Sequence, residues 1–408
     1  MNVKQSAERL ERYCRIDTQS DPESVTSPST EKQFNLAKIL VEDLKELGVE
    51  DAHVDEYCYV YGHLLSNCEK ECDTAGFIAH MDTAPDYSGE NVNPRIIENY
   101  DGKDITLNPD VVMHVSDFPY LSKCVGKTLM VTDGSTLLGA DDKAGITCIM
   151  EALRYWKENP SLKHGNISIA FTPDEEVGRG TEHFNYEEFH ADYAYTMDGG
   201  AIDVWSDETF NAASAEVSAQ GVMIHPGEAK DRMINALNVL HEFHSLLPAW
   251  MRPEHTENRD GFFHLIGLSG SAESAKAQYI IRDHDWDLFE KKQQMIKDAV
   301  SYLNEKYGRE VLKADISLTY KNMHEVLKDC PKVSELAEES LKDLGLTPVR
   351  EAVRGGTDGS SLTFHGLPCP NLGNGGENFH GRFEYCVLEE LVQASELVLK
   401  IAERVAGV

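Results

Sequence analysis

Glu175 and Glu176 stand side by side where an apolar run ends, in the stretch Ile167-Ser168-Ile169-Ala170-Phe171-Thr172-Pro173-Asp174-Glu175-Glu176. Adjacent residues leaving a strand point to opposite sides, so the two carboxylates are free to do different jobs. One could hold a metal ion while the other moves a proton. A carboxylate held by a cation is a poor base and a free neighbour is a good one, which is the division a metal-dependent hydrolase needs. An acidic turn that solvates a strand end would use the same residues, and the pair alone does not separate the two readings.

Three other segments repeat the pattern. His80-Met81-Asp82 follows the apolar Gly76-Phe77-Ile78-Ala79, and in extended chain Asp82 projects the same way as His80, where it could orient a ligating imidazole. Asp141-Asp142-Lys143 opens a helical pattern; carboxylates there are natural caps, but Asp141 could equally reach into a site. Asp198 comes directly after the apolar Tyr193-Ala194-Tyr195-Thr196-Met197. Taken singly each has an ordinary structural explanation, but four such groups at strand or loop ends argue for one site, because open α/β sheets bind ligands outside the carboxyl ends of their strands. Near the C-terminus, Arg354-Gly355-Gly356-Thr357-Asp358-Gly359 and Gly375-Gly376-Glu377-Asn378-Phe379-His380 are loops whose glycines permit close approach of a ligand. His380 is the natural fifth ligand. A phosphate-binding loop is disfavoured because no Gly-Lys-Ser/Thr comes after the glycines.

The elements that must carry these groups are legible as periodicities. Helices are expected at 2–15, 31–47 and 143–157, and short strands at 59–65, 75–80, 128–132, 166–172 and 192–197. This alternation predicts an α/β fold with a mostly parallel sheet wrapped by helices. After about residue 209 the order becomes a helix at 229–247, a strand at 276–282, a helix at 286–307 and a strand at 314–320, which fits helices on one face of a small antiparallel sheet. The αβ pattern resumes near 324 and ends in a periodic helix carrying Leu388, Leu391, Val392, Leu397, Val398, Ile401 and Val405. A second domain inserted into the first is the expected organisation.

Composition excludes several function classes. With 70 acidic and 38 basic residues the formal charge is −32, which leaves no basic stripe for nucleic acid and repels anionic membranes. No apolar stretch reaches the roughly 20 residues needed to span a bilayer. The first residues read as an amphipathic helix and not as a signal peptide. Nine cysteines, an odd number widely scattered, argue for a reducing compartment; a cytoplasmic location is expected. Cys68 and Cys72 lie in a polar stretch without a matching second pair and read as a turn.

The segments around His80, Asp141, Glu175-Glu176, Asp198 and His380 resemble those of the M20 group of co-catalytic zinc peptidases. The likeness continues through 15–21, 137–145, His225-Pro226-Gly227, 279–283, 354–360 and 375–384, in the same order along essentially the whole chain. It implies an αβα catalytic domain formed by 1–208 and 323–408, with a mixed, mostly parallel sheet, interrupted by an inserted α+β (ferredoxin-like) lid at 209–322. It further implies two zinc ions per subunit. Asp141 would bridge them, with His80 and Asp198 completing one site and Glu176 and His380 the other. Asp82 would orient His80, and Glu175 would act as general base, taking a proton from a zinc-bridging water and passing it to the leaving amine. His225, Arg282, Arg354 and Asn378 would contact substrate. The implied activity is removal of the N-terminal residue from tripeptides. An M20-type dipeptidase or N-acyl-amino-acid deacylase stays open as an alternative, and a non-catalytic peptide- or metal-binding protein as a remote one. Related enzymes pair through the lid, so a homodimer is left open. His241 and His244, three apart on a helix, read as structural or solvated because no acidic third ligand is evident nearby, and Asp283-His284-Asp285 reads as a loop following the lid strand.

Overall fold

The computed structural model describes residues 1–407. The chain separates into two compact units: 1–207, 326–351 and 357–407 form one, and 208–325 with 352–356 form the other. Residues 352–356 therefore cluster with the second unit, whereas the sequence pattern groups them with the first.

The first unit is built on an eight-stranded mixed sheet. Its strands run in the spatial order His53–Val54, Val60–Leu64, Ile167–Thr172, Ala75–His80, Tyr193–Gly199, Asn371–Gly373, Val204–Ser206, Val349–Arg350. Ala75–His80 lies parallel to both neighbours, Ile167–Thr172 and Tyr193–Gly199. Both Ala75–His80 and Ile167–Thr172 are buried along their whole length, which is why they read as continuous apolar runs and not as alternating ones. His80 is in register with Thr172, so the two strands end level and release the residues beyond them at one edge.

The helix Ala140–Glu158 packs on Ala75–His80 and Tyr193–Gly199, and the helices Val3–Cys14 and Leu388–Ala406 pack against it. Its outer and inner faces are both covered, consistent with the buried Ile146, Ile149, Met150, Leu153 and Trp156. Regular helical geometry begins only at Lys143: Asp141 (φ −82°, ψ 105°) and Asp142 (φ −118°, ψ 37°) are non-helical, and the peptide bond between them is cis. Among the described residues no helix is long and apolar enough to cross a membrane.

One expected strand belongs elsewhere. Leu129–Val131 is not in the main sheet but in a separate four-stranded sheet with Arg95–Ile97, Tyr385–Val387 and Gly376–Glu377. Three apolar residues specify a buried strand but not its partners. Here the partners come from about 35 residues before and about 250 after, separations that local patterning does not report.

The second unit is a four-stranded antiparallel sheet, Phe262–Gly270, Ser274–Asp283, Asn211–Gln220, Leu312–Tyr320, with the helices Ala236–Leu246 and Trp286–Tyr307 sharing its core. Asn211–Gln220 and Phe262–Gly270 are absent from the sequence expectation. Asn211–Gln220 (Asn-Ala-Ala-Ser-Ala-Glu-Val-Ser-Ala-Gln) holds a single β-branched residue, yet its alternate alanines and Val217 are buried under the helices; tertiary packing overrides its weak strand propensity. The helix expected from 229 begins at Ala236 instead. Asn235 caps it, its side chain accepting from the N–H groups of Leu237 and Asn238, while 225–234 form a 3-10 turn and a loop.

Candidate metal centre

Five of the singled-out side chains meet at the carboxyl edge of the main sheet. His80, Asp141 and Asp198 present one ligand atom each within 4.8 Å of one another, and so do Asp141, Glu176 and His380. Asp141 is common to both groups, and its two oxygens face different imidazoles. Oδ1 lies 2.9 Å from Nε2 of His80, and Oδ2 lies 3.2 Å from Nε2 of His380. Asp198 Oδ1 is 3.6 Å from His80 Nε2, and Glu176 Oε2 is 3.0 Å from His380 Nε2. A carboxylate that offers one oxygen to each of two donor clusters is placed to bridge two cations.

Each member has a local reason for its position. His80 ends its strand, and its other ring nitrogen, Nδ1, faces Asp82, 3.1 Å from the backbone oxygen and 3.4 Å from Oδ1. That arrangement fixes the ring and leaves Nε2 for the cluster. The fully buried Asp82 carboxylate also accepts the backbone N–H groups of Glu175 (3.0 Å) and Glu176 (3.2 Å). It thereby clamps the 3-10 turn Glu175–Val177, which carries both glutamates. Asp174, just before the turn at φ +58°, is held by Ser29 and Gln33, with Ser29 N–H at 2.7 Å, Ser29 Oγ at 2.5 Å and Gln33 Nε2 at 2.7 Å.

Asp142 does different work from Asp141. It is fully buried, and its Oδ1 accepts Gly145 N–H (3.0 Å), capping the first regular turn of the helix, and Asn374 Nδ2 (2.9 Å). Its Oδ2 accepts the backbone N–H of His80 at 3.3 Å. Asn374 also donates to the carbonyl of Met197, the residue before Asp198.

The electrostatics are those of a buried, acid-rich cluster. Burial, then the neighbouring Asp198, pushes Glu175 well above the ordinary carboxylate range. Burial and the Asp141 charge raise Glu176 to about 7, and burial raises Asp198 to about 6 although His80 hydrogen-bonds to it. Burial would raise Asp141 too, but hydrogen bonds from His380 and His80 outweigh it and its pKa falls. Hydrogen bonds to Asp141 and Glu176 lift His380 to about 11. Glu176 Oε1 is buried without a hydrogen-bond partner. An orphaned carboxylate oxygen among four crowded carboxylates and two imidazoles fits bound divalent cations, which would neutralise the cluster and satisfy that oxygen. The donors are all imidazole nitrogen and carboxylate oxygen with no thiolate, a set suited to zinc and to similar first-row ions.

Two acids beside the cluster had no role assigned from sequence. Asp358 heads the helix Asp358–Phe364, and its Oδ2 accepts Thr172 Oγ1 at 2.8 Å. Burial raises its pKa to about 7. A side chain at Gly180 would place Cβ 2.1 Å from Asp358 Oδ1, so only glycine fits there. Glu384 accepts three backbone N–H groups from 138–141. Burial still lifts it to about 7 against those hydrogen bonds. The available sequence signal was an isolated acid opening the apolar run Tyr385-Cys386-Val387, all buried.

The remaining candidates have these surroundings. Asn378 (φ +57°) donates to the carbonyl of Phe383. His225, Arg282 and Arg354 belong to the second unit. His225 is exposed and its Nδ1 accepts Gly227 N–H. Arg282 lies over the Tyr320 ring and donates to the carbonyls of Ile281 and Ala213. Arg354 donates to the carbonyls of Asn258 (2.7 Å) and Asp260 (3.0 Å) and to Thr256 Oγ1 (3.0 Å), over the rings of Phe210 and Phe262. His244 bonds Tyr279 Oη, Asp283 pairs with Lys292, and Asp285 caps the helix Trp286–Tyr307; all three are structural.

A mixed α/β sheet with two linked carboxylate–imidazole clusters at its carboxyl edge defines a metal-dependent hydrolase. The model of peptidase family M20/M25/M40 matches residues 109–404, and the chain belongs to that family. It is 50% identical to peptidase T of Alkaliphilus oremlandii over 98% of this chain and 99% of that protein. The solved structure of aminopeptidase PepT from Bacillus cereus shares the fold with a TM-score of 0.78 at 22% identity, covering 100% of this chain and 99% of that one. A tripeptidase structure from Staphylococcus aureus gives a TM-score of 0.80 at 22% identity and covers 100% of both chains. The protein is thus a metal-dependent peptidase, and its substrates are peptides.

Proposed function

We propose that this enzyme removes the N-terminal residue from tripeptides, with two zinc ions held by His80, Asp141, Asp198, Glu176 and His380. The observation that carries the reading is Asp141, whose two oxygens each face one histidine of a separate donor cluster. Half-identity to a peptidase T over nearly the full length of both chains supports the tripeptide specificity.

In this reading His80 and Asp198 serve one ion, Glu176 and His380 the other, and Asp141 both. The ions supply Lewis acidity, polarising the scissile carbonyl and acidifying the attacking water. Glu175 is the general base: it adjoins Glu176 but belongs to neither donor cluster, and both backbone N–H groups are anchored on Asp82. It accepts the proton of the attacking water and returns it to the leaving amine nitrogen, so the base is regenerated each turnover. Asp82 acts through others, holding the His80 ring and the base-bearing turn at once.

His225, an exposed imidazole, is assigned to the developing oxyanion, and Arg282 and Asn378 to polar groups of the peptide. Arg354 would bind a substrate carboxylate only by exchanging three existing hydrogen bonds, and Arg282 by exchanging two. Residues 208–325 would serve as the lid. Nine free cysteines, six of them buried, suit the reducing cytoplasm.

The test is metal content measured together with hydrolysis of dipeptide, tripeptide, tetrapeptide and N-acyl-amino-acid series. Two zinc ions per chain and preferential tripeptide turnover from the free amino end are expected. Faster cleavage of dipeptides or of N-acyl amino acids would replace this specificity with that of a related deacylase or dipeptidase.

A further inference from the structure

His380 is the least sheltered of the five donors. Its side chain is 46% exposed and its backbone sits at φ +65°, in the loop that joins the paired strands Gly376–Glu377 and Tyr385–Val387. Four residues later Glu384 is 1% exposed. The Glu384 backbone N–H donates to Gly381, so its carboxylate is carried on the same turn as the histidine. That carboxylate reaches across to the other ligand loop. Oε2 accepts the N–H groups of Leu138 (2.7 Å) and Gly139 (2.8 Å), and Oε1 accepts that of Asp141 itself (3.0 Å).

Near-consecutive backbone N–H groups converging on one point make an anion-binding concavity, and here its anion is supplied by the chain. Gly139 permits the curvature: it lies at φ +80°, and a Cβ there would fall 3.2 Å from Thr83 Cγ2. A buried carboxylate is costly unless its oxygens are satisfied, and this one is satisfied only by the loop that presents Asp141.

We infer that Glu384 is a positioning residue that docks the His380 loop onto the Asp141 loop, so that the bridging ligand and the exposed histidine assemble as one unit. The inference rests on Asp141 and His380 being metal ligands, as proposed above. It predicts that Glu384 governs metal retention more than it governs folding.

Glu384→Gln keeps the shape but places an amide N–H₂ against backbone N–H donors. Zinc or cobalt(II) titrated into metal-free protein against a chromophoric chelator should show two tight sites in the unaltered protein. In Glu384→Gln one site should weaken about 10–100-fold, the range for outer-shell partners of metal ligands. kcat should fall with KM nearly unchanged, and the cobalt(II) absorption spectrum should change in shape. Equal affinity for both ions, with only the melting temperature lowered, would reduce Glu384 to a fold element and overturn the inference. Should the variant not fold, amide hydrogen exchange on the metal-free native enzyme decides the matter. Leu138, Gly139 and Asp141 should exchange slowly, and exchange at the rate of open loops would overturn it. His380→Ala separates the two layers of argument: loss of one ion upholds the ligand assignment, and retention of both refutes that assignment regardless of Glu384.

Discussion

Asp141-Asp142 and Glu175-Glu176 are both adjacent acid pairs at the edge of one sheet, and they divide their labour in opposite order. In the first pair the leading residue joins the cluster and the second is spent on structure, capping the helix and tying Asn374 and the His80 backbone. In the second pair the trailing residue joins the cluster and the leading one stays outside both donor groups, where the proposed function makes it the base. The difference comes from the backbone immediately downstream of each pair. A helix start demands a cap within three residues, and Asp142 is the residue in reach of Gly145. The 3-10 turn after Thr172 makes no such demand, because its N–H groups are already taken by Asp82. Adjacent identical acids therefore acquire roles from their backbone surroundings.

The largest effect should come from the second pair. Glu175→Ala should lower kcat by about 10²–10⁴-fold, the range for removing a general base, with two metal ions retained. Glu176→Ala should instead lose metal as well as turnover. Elemental analysis beside steady-state kinetics checks both, and the reverse pattern would break the comparison.

Asp142→Ala should act on stability. It removes a cap worth about 0.5–2 kcal/mol and takes the acceptor from one N–H of Asn374 Nδ2, whose other N–H keeps the Met197 carbonyl, a buried loss of about 1–3 kcal/mol. Thermal or urea unfolding should show a loss on the order of 3 kcal/mol, and Asp142→Asn, which can still cap, should lose less. Metal loss without destabilisation would place Asp142 among the ligands and erase the contrast with Asp141.

Glu377 and Glu390 are a third interacting acid pair, not adjacent in sequence and outside both donor clusters. Burial, then the Glu390 charge, raises Glu377 to about 7 from 4.5. A carboxyl with a raised folded pKa favours the folded state most when protonated, so its contribution is full below about pH 4.5 and is lost as pH rises through 7. Glu377→Gln should thus gain stability relative to the parent at pH 8, by up to about 3 kcal/mol, and be nearly neutral at pH 4. Urea melts at the two pH values test this, and no pH dependence would mean the site is better solvated than its burial indicates.

The smallest effect is expected far from the chemistry. Asp285 caps the helix Trp286–Tyr307 in the second unit through Leu288 N–H, and Asp285→Ala should cost about 1 kcal/mol with kcat unchanged.

Much of the donor set is legible in the sequence because the chemistry sits at punctuation marks. His80, Glu176 and Asp198 each lie at or just beyond the end of an apolar strand, and parallel strands deliver their ends to one edge whatever the details of packing. The inserted sheet is half-legible: Ser274–Asp283 and Leu312–Tyr320 show strand character, whereas Asn211–Gln220 is alanine-rich and becomes a strand only because helices cover its alternate residues. Leu129–Val131 is legible as a strand, but its apolar residues do not reveal that it leaves the main sheet for a smaller one. The role of Glu384 is hidden because its partners at 138–141 are backbone N–H groups, which carry no side-chain signature.

By itself, then, the order of residues determined which groups stand at strand ends and loop mouths, since periodicity and capping act over a few residues. That Asp141 divides its two oxygens between His80 and His380 was decided only by the tertiary structure. So were the clamp of Asp82 on the Glu175-Glu176 turn and the convergence of three N–H groups on Glu384. Those contacts join segments roughly 60 to 250 residues apart, and nothing in local geometry selects among such pairings until the core has packed and set which loops face each other.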